Sequence, residues 1–111
     1  MADAPFVLSY QGEEPYIPLL EGPPTTRGMR SGRVALAEGE ECGEHSTEAH
    51  EETLVILEGR GHALAKGHDP VAIAAGQCVY VPPHTVHNVR NDASPRLRYI
   101  YIVSPIGEAE A

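Results

Sequence analysis

Ten prolines and eleven glycines are scattered along these 111 residues, and few stretches run ten residues without one. No window of that length shows helical periodicity, so long helices are ruled out. Short extended segments joined by turns remain. The first clear segment is Gly32–Ala37. Thr53–Leu57 is a continuous apolar run that stops at Gly59, as expected of a strand buried on both faces. His62–Lys66 and Val71–Ala75 read as a hairpin around Gly67-His68-Asp69-Pro70. Cys78–Val81 ends at Pro82-Pro83, Thr85–Arg90 alternates, and Arg96–Val103 is the last and longest strand. About eight such strands at regular spacing predict an all-β sandwich or barrel.

The expected organisation is a single domain, since 111 residues can bury one core without disulfides or structural metal. Residues 1–30 read as an N-terminal arm with edge strands around Phe6–Ser9 and Tyr16–Leu20. Residues 31–104 form the barrel and 105–111 a tail, fraying from Ser104. With no tryptophan and one phenylalanine, the core must come from aliphatic side chains and tyrosines.

Sixteen acidic against eight basic side chains give a formal charge of -8, which repels phosphate backbones and argues against nucleic acid as a partner. No segment is apolar enough to span a membrane or serve as a signal peptide. Cys42 and Cys78 lie far apart and read as free thiols, small and buried, in a cytoplasmic protein.

Four histidines fall at two turns: His45 and His50 before the Thr53 strand, His84 and His87 after the prolines. Glu51 and Glu52 stand beside the first pair. Imidazoles and carboxylates gathered this way suit a divalent ion of the Mn, Fe, Ni, Cu or Zn group, although acidic surface turns also collect Glu and His. Glu52 opens an apolar strand, where an unpaired carboxylate is costly. His87 shares a face with Thr85 and Val89.

From Gly39 the chain runs Gly-x5-His45-x-Thr47-x4-Glu52-x6-Gly59. From Gly76 it runs Gly-x5-Pro82-x-His84-x2-His87-x3-Asn91. This resembles the two motifs of the cupin superfamily, G-x5-H-x-H-x3/4-E-x6-G and G-x5-P-x-G-x2-H-x3-N, in the same order and with eight of the ten pattern residues. The resemblance implies a double-stranded β-helix, a jelly-roll barrel. It implies His45, Glu52 and His87 as ligands of a divalent metal ion (Fe, Mn, Ni or Zn), glycine turns at Gly39, Gly59 and Gly76, and a turn stabilised by Asn91. Two positions depart from the pattern: Thr47 stands where the family has a second histidine, and His84 where it has a glycine.

His50 lies two residues before Glu52 and shares its face if the strand begins there. It is the expected fourth ligand in place of Thr47, the alternative being a solvent-facing loop residue. Arg60 and Arg98 are either anchors for an anionic substrate or ordinary rim charges. Three functions stay open for the resemblance: a metal-dependent enzyme on a small molecule, with an oxygenase ahead of an isomerase or lyase; a non-catalytic small-molecule binder or sensor; and a barrel with no metal. The apolar faces around Val55, Leu57, Tyr99 and Tyr101 need cover, so a homodimer is expected.

Overall fold

The computed structural model describes residues 3–107. Within them the chain forms nine strands and no helix: β1 Tyr16–Glu21, β2 Arg30–Ala37, β3 His45–Ser46, β4 His50–Glu58, β5 Arg60–Ala65, β6 Val71–Ala74, β7 Cys78–Val81, β8 Val86–Arg90 and β9 Arg96–Pro105. They make two antiparallel sheets, one in the order β1-β2-β9-β4-β7 and one in the order β3-β8-β5-β6. The all-β double-stranded β-helix is therefore the fold of this chain.

Side-chain alternation sorts each strand between an inner and an outer face. Leu36, Leu54, Ile56, Ile73, Val89, Leu97 and Tyr99 form the buried core. In β4 the inward Glu52, Leu54 and Ile56 are buried, whereas Val55 and Leu57 on the outer face are half-buried. Thr53–Leu57 is thus deeply buried on one face only, although it read as buried on both. Tyr99 and Tyr101 were expected on the outside with Val55 and Leu57, but Tyr99 belongs to the core and Tyr101 packs against it. Their neighbours Ile100 and Ile102 take the outer positions of β9 and are half-buried.

Around the barrel, β1 is the expected edge strand, while Phe6–Ser9 is not a strand. The arm is held by Arg33, whose side chain is fully buried. Its guanidinium donates to the carbonyls of Tyr10, Gly12 and Glu14 at 3.2, 3.0 and 2.9 Å. Three carbonyls match the planar fork without a second charge. At the other end, β9 runs through Ser104 to Pro105, and the Ile106 amide donates to the Ala49 carbonyl at 3.1 Å. The chain is therefore still paired where fraying was expected; residues 108–111 of the tail lie outside the described residues. Both cysteines are free and exposed, Cys78 on the outer face beside Tyr80. The expectation that they are buried fails: Cys78 points outward from the edge strand β7, and Cys42 lies in the loop between β2 and β3.

The motif turns take the conformations their residues require. Gly39, Gly59 and Gly76 have φ of 89°, 85° and 91°, the left-handed region that glycine enters without a Cβ penalty. His84 occupies the family's glycine position at φ 54°. Its amide is secured by the Glu48 carbonyl at 2.8 Å.

Candidate metal centre

The two sheets face each other across a cavity of about 910 Å³, and each contributes to one cluster on its wall. His45 in β3 pairs with His87 in β8, which brings their rings to 4.3 Å between centroids. Glu52 reaches in from β4 of the opposite sheet. One ligand atom from each of His45, Glu52 and His87 lies within 4.8 Å of the others, and no other such group occurs among the described residues.

Backbone carbonyls orient both imidazoles. His87 Nδ1 lies 3.1 Å from the Thr85 carbonyl, and His45 Nδ1 lies 3.1 Å from the Gly43 carbonyl. A carbonyl can only accept, so Nδ1 carries a proton in each ring, and in the neutral ring Nε2 keeps its lone pair. This is how a metal-ligating histidine is commonly held.

His87 Nε2 then lies 3.0 Å from Glu52 Oε1, with both side chains more than nine-tenths buried. The ring does not aim Nε2 at that oxygen well enough for a good hydrogen bond, so the 3.0 Å contact is mainly electrostatic. Two lone-pair atoms in contact in a buried site repel unless a cation sits between them or the ring takes up a second proton. Burial alone would lower the His87 pKa, but the Glu52 carboxylate and the Thr85 carbonyl outweigh it and raise the value above that of an ordinary imidazole. The site therefore favours positive charge between Glu52 and His87. The donor set of two neutral imidazoles and a carboxylate fits a divalent transition ion or zinc.

The other expected residues fall elsewhere. Thr47 is buried and its hydroxyl is occupied: Oγ1 donates to the Pro82 carbonyl at 2.7 Å and accepts from the Thr85 amide at 3.0 Å. Thr47 thus staples the β3–β4 turn to the turn preceding β8, and so helps place His87. His50 opens β4, half-buried, and lines the same cavity as Glu52, but lies outside the three-residue cluster. Arg98 pairs with Glu58 at 3.5 Å, and Arg60 reaches the Ala93 carbonyl, so neither lines the cavity. His62 is tied to Asp92 at 2.7 Å. Sequence reading missed Arg30, Tyr16 and Tyr101 on the cavity wall. The signal was strand parity, which puts Arg30, Gly32, Val34 and Leu36 on one face.

Comparison with known proteins agrees with this geometry. No curated protein matches the chain. Among solved structures it resembles a protein described as a predicted oxalate decarboxylase from Thermotoga maritima, at 25% identity and TM-score 0.65, covering 69% of this chain and 66% of that one, just under two thirds. A double-stranded β-helix protein of the RmlC-like cupin family from Methanocaldococcus jannaschii aligns at TM-score 0.74 and 20% identity, over 91% of both chains. A Bacillus halodurans structure aligns at TM-score 0.78 and 21% identity, over 96% of this chain and 85% of that one. The sequence model described as a cupin domain matches residues 32–103. Nearly the whole barrel lies within that match, and the chain belongs to the cupin family.

Proposed function

We propose that this chain binds one divalent metal ion through His45, Glu52 and His87, with His50 as the fourth ligand, and that the cavity beside it takes a small organic molecule. The carrying observation is the buried contact of His87 Nε2 and Glu52 Oε1 without a good hydrogen bond. A bound ion of this kind supplies a Lewis acid with open positions for a substrate. The chain supplies the rest: carbonyls at Gly43 and Thr85 aim the imidazoles, Thr47 fixes the turn behind His87, and Val34, Leu36, Leu54 and Val89 line the cavity with apolar surface. A metal-dependent enzyme of oxygenase type is the leading reading. A non-catalytic binder using the same cavity is the second. Two free exposed thiols suit a reducing compartment, the cytoplasm.

Elemental analysis of protein purified without chelators or affinity nickel tests the proposal, with close to one ion per chain expected. Iron or manganese favours the oxygenase reading and zinc a hydrolytic or isomerase role. Absence of metal, with no uptake on titration, overturns it.

The fourth-ligand role requires the His50 ring, two residues before Glu52 on the same face of β4, to turn onto the cluster. His50→Ala is expected to lower metal affinity tenfold or more, about 1.4 kcal/mol. Thr47→Ala should instead lower the melting temperature, because its hydroxyl is committed to Pro82 and Thr85. Unchanged affinity in His50→Ala leaves a three-ligand site.

A homodimer is the proposed assembly. Val55, Leu57, Ile100 and Ile102 on the outer face are only half-buried, and Phe6, Val7 and Leu8 of the arm are exposed. Light scattering is expected to give twice the chain mass; a monomer persisting at millimolar concentration rejects it.

A further inference from the structure

Away from the histidines, the cavity wall formed by β2 and β9 carries a second polar group. Val103 of β9 pairs with Arg30 on one side and with Glu52 of β4 on the other, so the three stand in one row across the sheet. Arg30 and Glu52 both line the cavity. Two strand spacings separate them, about 10 Å between Cα atoms. In the adjoining row Gly32 pairs with Tyr101, and the Tyr101 hydroxyl lies 2.6 Å from that of Tyr16. The two rings are nearly parallel, 6.4 Å apart. A Cβ on Gly32 would come within 2.7 Å of the Tyr16 ring and 2.9 Å of the Tyr101 hydroxyl. The missing side chain is what lets the pair stand there.

Arg30 is held in place. Its Nη1 donates to the Glu21 carbonyl at 2.8 Å, and its guanidinium lies over Gly22, where a Cβ would meet it at 2.7 Å. Among the described residues it has no carboxylate within ion-pair distance, and it is the one Arg or Lys that lines this cavity. The acidic residues on the wall do not answer it. Glu40 and Glu41 follow the far end of β2 and spend their carboxylates on the Ala37 amide and the Asn88 side chain, at 2.7 and 3.1 Å. Glu48 lies between β3 and β4. Burial raises the Tyr101 pKa, so its hydroxyl keeps its proton and can donate.

We propose that Arg30, with the Tyr16 and Tyr101 hydroxyls beside it, anchors the carboxylate of an organic acid whose apolar stem lies across Val103 toward His45, Glu52 and His87. The planar guanidinium matches a carboxylate in two parallel hydrogen bonds, and a phenol adds a third donor. The apolar wall between the two polar groups excludes a second charge along the stem. Arg30 turns its guanidinium toward Glu21 and Gly22, away from Glu52, so the two groups stand about two strand spacings apart or more, room for a short carbon stem. The inference deepens the proposed function by naming a ligand class, and it rests on that reading only for what the far end of the acid meets.

Backbone-amide NMR titration of metal-free protein tests the anchor, with straight-chain carboxylates from acetate to octanoate set against alkan-1-ols of the same length. The acids are expected to shift the amides of Arg30–Gly32 and Tyr101–Val103 and to bind at least tenfold more tightly than the alcohols. Arg30→Met should abolish that preference with alcohol binding unchanged. Arg30 opens its strand on the surface, so the variant should fold; Tyr16→Phe, which removes one hydroxyl, should weaken the acids several-fold. Three outcomes overturn the proposal: acids no tighter than alcohols, shifts confined to the His45 and His87 end, or a preference that survives Arg30→Met. Failure of any acid to bind up to its solubility limit also overturns it. Adding zinc or manganese afterwards separates the two readings: if no metal binds, the acid preference persists and only the metal proposal falls.

Discussion

His87→Ala is expected to abolish metal binding at any ordinary concentration while leaving the barrel folded. Loss of a group that merely orients a ligand costs roughly 10–100-fold in affinity, so loss of the ligand itself should exceed that range. The substitution also leaves Glu52, only 6% exposed, without the imidazole 3.0 Å from its carboxylate. The fold should survive because the core of Leu36, Leu54, Ile56, Val89, Leu97 and Tyr99 packs without that ring. Calorimetric titration with manganese or zinc, paired with thermal melts of the metal-free protein, checks both halves. If the metal-free wild type is itself unfolded at room temperature, metal-binding energy is serving as folding energy, and the site is structural.

A loss of stability is expected from Asn91→Ala, without any direct effect on the site. Asn91 has no solvent exposure, and its side chain bridges β2 and the turn that follows β8. Nδ2 donates to the Leu36 carbonyl at 2.9 Å. Oδ1 accepts from the Ser94 amide and hydroxyl, each at 3.2 Å, and from the Ala93 amide at 3.4 Å. Alanine removes the partner of the Leu36 carbonyl and the Ser94 amide in a buried setting, while the Ser94 hydroxyl keeps the Arg60 carbonyl at 2.9 Å. An unsatisfied buried polar group costs about 1–3 kcal/mol, so the turn as a whole should lose roughly 3–5 kcal/mol. Urea unfolding should show a lower midpoint with an unchanged slope. A loss below about 1 kcal/mol would mean that the turn relaxes enough to find other partners.

The elements of this barrel were legible in the sequence because their causes are local. Pro82 ends β7, and glycines at 39, 59 and 76 enter the left-handed conformations that their turns need. The resemblance to the family's two motifs is what grouped His45, Glu52 and His87, since strand periodicity fixes only which residues of one strand share a face. Which face looks inward is not local. Tyr99 and Tyr101 alternate with Ile100 and Ile102, and both sets are apolar, so the pattern is symmetric within β9. Only the pairing of β9 between β2 and β4, strands from the first half of the chain, turns the tyrosines to the cavity. The same remote pairing exposes Cys78 on an edge strand, buries Arg33 under the arm and seats Arg30 in a row with Glu52. Thr47 shows the limit most sharply. The sequence marked it as a missing ligand, and only the approach of the Pro82–Thr85 turn, 35 to 38 residues away, showed that its hydroxyl is spent on two backbone groups. Strands and turns depend on neighbours along the chain and could be read from it. What each side chain faces depends on strands brought together from far apart.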